Sequence, residues 1–195
     1  METARGTQHT GLLVIDVQNA VVADGYDREG VLERIALTID KARAQHVPVI
    51  YIQHVEDIEG SDMQRGSEGW QIHDRVKPLE GEVVIGKEYP DSFADTDLAE
   101  TLEDLDINHL VICGAQTDFC VRTTTMGALN RGYDVTLVTD AHTTGDLVLD
   151  EDTTIPAKQT IQHFNATTPW IGFPGRTINA ITAAELEFSA PVMTR

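Results

Sequence analysis

Cysteine and lysine are both scarce in this sequence, which has two cysteines and four lysines among 195 residues. The two cysteines, Cys113 and Cys120, are seven positions apart, and the first ten residues lack the apolar stretch of a secretory signal. A structural disulfide framework is therefore excluded as the basis of the fold. We expect both thiols to be reduced and the protein to be cytoplasmic.

Long apolar runs are also missing, and none approaches the ~20 residues of a membrane-spanning helix. Acidic residues outnumber basic ones by 32 to 14, which gives a formal net charge of −18. A field of this sign repels phosphate backbones, so we expect neither a membrane nor a nucleic acid as a partner. The acidic, lysine-poor balance also suits a salt-rich cytoplasm, a hypothesis that a salt-independent melting temperature would contradict.

Short apolar segments alternate with segments of helical spacing along most of the chain. This alternation predicts an α/β fold with three αβα layers around a doubly wound, mainly parallel sheet of about six strands. The predicted strands are residues 11–17, 48–54, 82–85, 109–113, 134–138 and an edge strand at 177–182. The predicted helices are residues 29–45, 97–106, 119–131, 155–165 and a last turn at 183–188.

Neither repeats nor linker-like composition divide the chain. We expect residues 1–9 to be disordered or extended and residues 10–195 to form a single domain. A polar segment with three glycines joins His54 to Lys77 and is long for a connection. It is either a lid or substrate loop or a solvated insertion.

Reactive side chains follow three of the predicted strands. Asp16 ends the first strand, Lys87 follows the third, and Cys120 begins the helix after the fourth. In parallel sheets the ligand crevice lies beyond the carboxyl ends of the strands, where the strand order reverses. Each residue alone has an ordinary explanation, as a helix cap, a solvated charge or a core thiol. Together they predict a site with a nucleophile, a base and a cation.

The two thiols have different predicted environments. We expect helix-terminal N–H groups and a nearby ammonium to lower the pKa of Cys120, although a carboxylate alone would raise it. Cys113 lies in the apolar strand segment V-I-C-G, which raises a thiol pKa. We therefore interpret Cys113 as a core residue.

Three motifs resemble those of one family. The segment G-A-Q-T-D-F-C-V at residues 114–121 resembles the nucleophile turn of the isochorismatase-like cysteine hydrolases. These include nicotinamidases, N-carbamoylsarcosine and ureidoacrylate amidohydrolases, and streptothricin hydrolase. I-D-V-Q-N at residues 15–19 resembles their first-strand motif, and K-E-Y-P-D-S-F-A-D-T-D-L at residues 87–98 resembles their lysine segment. Three separated motifs in the family's order make a chance match implausible.

The resemblance implies a catalytic triad. Asp16 would accept the thiol proton of Cys120, Lys87 would stabilise the thiolate and its tetrahedral adduct, and water would release the acyl-enzyme. The resemblance also implies a cis Ala115–Gln116 peptide bond, with the N–H groups of Gln116 and Cys120 directed at the oxyanion.

Four further side chains are candidates for substrate binding. The resemblance implies that Gln18 lines the pocket and steadies the site, and it places Phe93 within the lysine segment. His54 and Trp70 either contact the substrate or have structural roles. The ligand grouping that zinc-type nicotinamidases carry after the second strand is absent, so we expect no metal and no cofactor.

The expected activity is hydrolysis of a small-molecule amide, N-carbamoyl or lactam C–N bond. Isochorismatases that cleave a vinyl ether lack the nucleophilic cysteine, which Cys120 supplies here. Nicotinamidase activity is an alternative within the family. A thiol redox or sensing protein that pairs Cys120 with Cys113, and a catalytically idle oligomeric member, are alternatives of other classes. The resemblance implies a homodimer or homotetramer.

Overall fold

The computed structural model describes residues 8–188 and contains eight strands and four α-helices in this range. The strands are β1 (Thr10–Ile15), β2 (Val49–His54), β3 (Val83–Lys87), β4 (His109–Ala115), β5 (Asp134–Thr143), β6 (Leu147–Val148), β7 (Thr154–Ile155) and β8 (Ile178–Ile181). The helices are α1 (Arg28–Ala44), α2 (Leu98–Asp104), α3 (Arg122–Arg131) and α4 (Ala157–Thr167). Short 3₁₀ turns occur at Asp74–Val76 and Thr168–Trp170, and a π-helical segment at Thr117–Val121.

Six strands form one parallel sheet in the order β3-β2-β1-β4-β5-β8. The strand β1 pairs with β2 on one side and with β4 on the other. The strands β2 and β3 are therefore added on one side of β1 and the later strands on the other side, so the strand order reverses at β1. The strands β6 and β7 form a separate antiparallel pair. The predicted fold class is confirmed, and the reversal creates a crevice beyond the carboxyl ends of β1 and β4.

Both faces of the sheet are buried, which explains the nearly continuous apolar run of β1. Leu12 and Val14 point into one core, with α1, whereas Leu13 and Ile15 point into the other, with α2 and α3. All four side chains are at most 1% exposed. Because side chains alternate between the faces of a strand, a strand covered on both sides must be apolar at every position.

The last predicted helical turn, residues 183–188, is shorter in the structure than predicted. The structure has a single hydrogen-bonded turn there, closed by the Leu186 N–H and the Thr182 carbonyl at 3.0 Å. Lys41 donates hydrogen bonds to the carbonyls of Ala184 and Leu186, and the Asp140 carboxylate accepts from the Ala183 N–H. These tertiary contacts bind backbone groups at the two ends of the turn, where so short a helix would leave its N–H and carbonyl groups unpaired. The strand β5 is also longer than predicted and reaches residue 143.

Some predictions reach beyond the described residues. Residues 1–7 of the predicted extended N-terminus and residues 189–195 of the predicted domain lie outside them. Between residues 8 and 188, no helix combines the length and apolar character needed to cross a membrane. The single domain, the homo-oligomer and the cytoplasmic location stay predictions.

Candidate active site

The structure brings Asp16, Lys87 and Cys120 into contact at the strand crevice. The Lys87 Nζ atom lies 2.7 Å from Asp16 Oδ2 and 3.2 Å from Cys120 Sγ. The Lys87 and Asp16 side chains are 0% and 1% exposed, whereas Cys120 is half-buried. A buried ammonium thus links the carboxylate to the sulfur, with the sulfur nearest to solvent.

The three side chains reach this point because β3, β2, β1 and β4 are consecutive parallel strands whose carboxyl ends lie at the same end of the sheet. Asp16 follows β1 directly with a φ of 48°, a left-handed conformation that turns the chain out of the sheet. Lys87 is the last residue of β3. Cys120 lies in the π-helical segment that follows β4.

Gly114 permits the close approach of β4 to β1 beside the site. Its φ is +127°, and a Cβ there would lie 2.0 Å from the Ile15 carbonyl oxygen. The next peptide bond, Ala115–Gln116, is cis, as the resemblance predicted. Gln116 and Cys120 both line the cavity described below, and the roles of their N–H groups at an oxyanion stay predictions.

Burial dominates the electrostatics of Asp16. Loss of solvent raises the pKa of this carboxyl above its ordinary value, and the nearby Lys87 ammonium counteracts only part of that effect. Hydrogen bonds from Lys87 and from the Cys120 thiol to this carboxylate also oppose the effect of burial. Asp16 therefore combines a raised proton affinity with direct contact to the thiol whose proton the predicted mechanism transfers.

The predicted lowering of the Cys120 pKa is wrong. The pKa of this thiol is raised to about 12, and burial is the largest cause. The Asp16 carboxylate also raises this pKa, by more than the Lys87 ammonium lowers it. The prediction counted the cation and the helix terminus but not the loss of solvent around the sulfur. The free protein therefore holds Cys120 as a neutral thiol near pH 7.

His54 belongs to the same cluster. Its Nδ1 atom lies 3.5 Å from Lys87 Nζ, and its side chain lines the cavity. Burial, followed by the Lys87 charge, lowers the pKa of His54 below 6.5. The imidazole is thus neutral near pH 7, and its position fits the predicted substrate contact.

Gln18 does not line the cavity, contrary to the prediction, and is fully buried behind it. Its amide N–H₂ group donates to the carbonyls of His54 and Trp70, both at 2.8 Å, and its oxygen accepts from the His54 N–H at 2.8 Å. The side chain therefore joins the segment after β1 to the end of β2 and to the loop that carries Trp70. The predicted steadying role agrees with these bonds.

Trp70 and Phe93 lie away from the cavity. The guanidinium of Arg65 covers the Trp70 ring at 5.9 Å from its centroid. Phe93 is buried, stacks on Tyr133 at 5.8 Å and lies under Arg131. Phe93 is therefore a packing residue of the interior. Trp70 is only partly buried, and its substrate contact stays a prediction.

The reactive groups open into a cavity of about 340 Å³. Its wall includes two side chains of the long polar segment, Glu56 and Met63, which supports the substrate-loop interpretation of that segment. Sequence reasoning missed most of this wall, because its apolar members, apart from Phe119, lie in loops between the predicted elements. The lining residues are Asp16, Ala20, Val21, His54, Glu56, Met63, Pro90, Gln116, Phe119 and Cys120.

Two further observations concern possible ligands. A larger cavity of about 760 Å³ is lined in part by Thr10 and His109, the first residues of β1 and β4. These residues lie at the amino ends of the two strands, whereas Cys120 lies beyond the carboxyl end of β4. Over the described part of the chain, no three His, Cys, Asp or Glu side chains converge in a way that could hold a metal ion. The absence of a metal and of a cofactor stays a prediction.

The six-stranded parallel sheet and its flanking helices are those of an α/β hydrolase. Residues 10–168 match the model of the Isochorismatase domain, and the chain belongs to this family of hydrolases. It is 33% identical to the putative isochorismatase hydrolase of Oleispira antarctica. The match to the crystal structure of that protein has a TM-score of 0.82 and covers 94% of this chain and 98% of that chain. The predicted family and enzyme class are confirmed.

Two curated relatives have named activities. The chain is 36% identical over 139 residues to the streptothricin hydrolase of Streptomyces noursei, covering 70% of this chain and 55% of that protein. It is 29% identical over 170 residues to the ureidoacrylate amidohydrolase of Methylobacterium radiotolerans, covering 68% and 66%. The chain thus spans somewhat more than half the length of these two relatives.

Proposed function

We propose that the protein hydrolyses a C–N bond of a small amide, N-carbamoyl compound or lactam through a covalent acyl-enzyme on Cys120. The observation that carries this proposal is the contact of Lys87 Nζ with both Asp16 and the Cys120 sulfur beside a cavity. This arrangement supplies a nucleophile, a base and a fixed positive charge at one point. The relative named as an amidohydrolase gives independent support for the bond type.

The first half-reaction needs a proton transfer coupled to attack. Asp16 takes the thiol proton while the Cys120 sulfur bonds to the substrate carbonyl carbon, and Lys87 keeps its charge beside both groups. The raised pKa of the thiol prevents a standing thiolate, and the raised pKa of Asp16 favours the transfer. The N–H groups of Gln116 and Cys120 would stabilise the oxyanion, a contribution of typically 10²–10³-fold in rate per donor.

Collapse of the tetrahedral adduct completes the first half-reaction, and hydrolysis of the resulting thioester is the second. Protonated Asp16 returns its proton to the departing nitrogen as the C–N bond breaks, which leaves a thioester on Cys120. Water then attacks the thioester carbon with Asp16 as its base, and the acid and the free thiol are released. Every proton taken by Asp16 is given back, so the cycle needs no cofactor.

The alternatives of other classes have less support. Cys113 is fully buried in β4, its thiol donates to the Leu13 carbonyl at 3.8 Å, and burial raises its pKa to about 12. A partner in reversible disulfide exchange would need to be accessible and ionisable. An idle family member would have no reason to retain three contacting groups beside an open cavity.

The test is a panel of primary amides, N-carbamoyl acids, lactams and nicotinamide, assayed with and without a chelator. We expect Cys120→Ala and Asp16→Asn to lose at least about 10³-fold in kcat/KM, because each removes a group that acts in the transition state. Cys113→Ala is the matched control and should keep full activity. Acid-quenched mass spectrometry should detect an acyl adduct on Cys120, and undiminished turnover by Cys120→Ala would overturn the proposal.

A further inference from the structure

The cavity wall carries one carboxylate that the proposed mechanism does not use. Glu56 lies two residues beyond β2 and is half-buried in the wall. Its Oε2 atom accepts a hydrogen bond from the Ser61 hydroxyl at 2.5 Å, and its backbone N–H donates to the Met63 carbonyl at 3.1 Å. These contacts hold the carboxylate at the cavity but do not neutralise it.

Among the described residues, no lysine or arginine is close enough to Glu56 to form an ion pair with it. Asp16, by contrast, is paired with the Lys87 ammonium. His54, the nearest titratable base on the wall, has a lowered pKa and is uncharged near pH 7. The charge of Asp16 is therefore balanced within the site, and that of Glu56 is not.

The remaining wall is mostly apolar. Ala20, Val21, Met63, Pro90 and Phe119 face the same space. Its volume of about 340 Å³ lies at the small end of the range for ligand pockets. The wall fits a ligand with a short apolar body and one charged end.

We propose that Glu56 selects amide substrates that carry a positive charge, an ammonium or a guanidinium, at the end of a short apolar segment. This inference rests on the proposed function and names the substrate class of the same site. The net charge of −18 acts in the same direction, because it attracts cations to the surface and repels anionic amides. A charge-assisted hydrogen bond to Glu56 adds at least about tenfold in affinity.

The test uses pairs of amides with the same shape and different charge. One pair is 6-aminohexanamide and heptanamide, and the other is 4-guanidinobutanamide and its neutral counterpart 4-ureidobutanamide. We expect kcat/KM of the wild-type protein to favour the cationic member of each pair by at least about tenfold. Glu56→Gln should lower that ratio to near one, because the charge that selects the cationic member is removed.

The matched control is Glu59→Gln, which removes one negative charge from an exposed position of the same segment. We expect it to keep the wild-type preference, which separates the local effect of Glu56 from the general field. A wild-type ratio near one, or an unchanged ratio in Glu56→Gln, would overturn the inference. An unchanged ratio is also the result expected if Glu56 only accepts a hydrogen bond from an N–H group that both members of a pair carry.

Failure of the proposed function gives a different result. If Cys120→Ala turns over the cationic amides as fast as the wild type, the acyl-enzyme is wrong, whatever the charge preference. Binding of both pairs to the Cys120→Ala protein, followed by NMR titration, measures selection without turnover. Equal affinity for the charged and neutral members would refute the role of Glu56 even if none of the four amides is hydrolysed.

Discussion

Thr117 donates a hydrogen bond of 2.8 Å from its hydroxyl to Nδ1 of His142, and this bond joins the nucleophile turn to β5. On the other side of the ring, Nε2 donates to Asn165 Oδ1 at 2.8 Å, because the Asn165 amide nitrogen is committed to the Thr139 carbonyl. Thr117 and His142 are at most 1% exposed. The turn that holds Cys120 is therefore supported by a neutral, fully buried imidazole.

The pH dependence of stability should report this imidazole. Burial lowers the pKa of His142 from 6.5 to about 4. The unfolded chain then binds more protons than the folded one between these values, so stability falls as the pH decreases from 6.5 toward 4. We expect His142 to account for a loss of about 2–3 kcal/mol by pH 4.5.

Urea unfolding at pH 7 and pH 4.5 measures this contribution. His142→Gln should be less stable than the wild type at pH 7 but should lose less on acidification, by about 2–3 kcal/mol. His163→Gln, at an exposed position of α4, is the control and should follow the wild-type curve. Equal acid losses in the wild type and in His142→Gln would show that the ring does not stay neutral in the folded protein.

The reactivity of Cys120 should increase when its proposed base is removed. The Asp16 carboxylate raises the pKa of the thiol, and the Lys87 ammonium lowers it. In Asp16→Asn only the ammonium remains, so the thiol pKa falls. Each unit of that fall should speed iodoacetamide alkylation at pH 8 about threefold, after the lower nucleophilicity of a more acidic thiol is included. Hydrolytic activity should be lost in the same protein.

Mass spectrometry of the alkylated peptide distinguishes Cys120 from the buried Cys113. Asparagine tolerates the left-handed backbone of Asp16 well, which makes it the best neutral substitute there. Asp104→Asn, an exposed change on α2, should leave the alkylation rate unaltered. Slower alkylation in Asp16→Asn would mean that Asp16 activates the resting thiol, opposite to the electrostatics described above.

Gly114→Ala should be far more damaging than an alanine at another glycine of positive φ. At Gly114 the added Cβ meets the backbone of Ile15, which cannot rotate away, and the strain of the φ adds to that clash. We expect a loss of more than about 3 kcal/mol in the free energy of unfolding. Gly60→Ala, with a φ of +83° and open space around it, should cost only about 1 kcal/mol. Similar urea midpoints for the two variants would contradict this account of the β1–β4 approach.

Much of the fold and the centre of the site could be predicted from the sequence, for one physical reason. Strands buried on both faces are apolar at every position, so their ends are easy to locate, and polar residues just beyond those ends converge when the strands are parallel. This rule predicted that Asp16, Lys87 and Cys120 lie close together. The motif resemblance identified the family by the same three segments.

The rest depends on tertiary surroundings that no local pattern records. The direction of the Cys120 pKa shift is set by how much solvent the fold removes, which spacing does not reveal. Gln18 could be placed near the site, but only the path of the loop decides that its amide binds backbone rather than substrate. Glu56 and Met63 lie in a segment without periodicity, so their positions on the cavity wall depend on how that segment folds.

The hydrogen bonds of Gln18 lie between the residues proposed to react and the segment proposed to select the substrate. The triad is fixed by strand ends in the rigid sheet, whereas Glu56 and Met63 belong to a connection that Gln18 fastens near Trp70. Changes of length or residue between those fastening points leave the strand ends where they are. Such a division lets new ligand preferences evolve on this scaffold without rebuilding its chemistry.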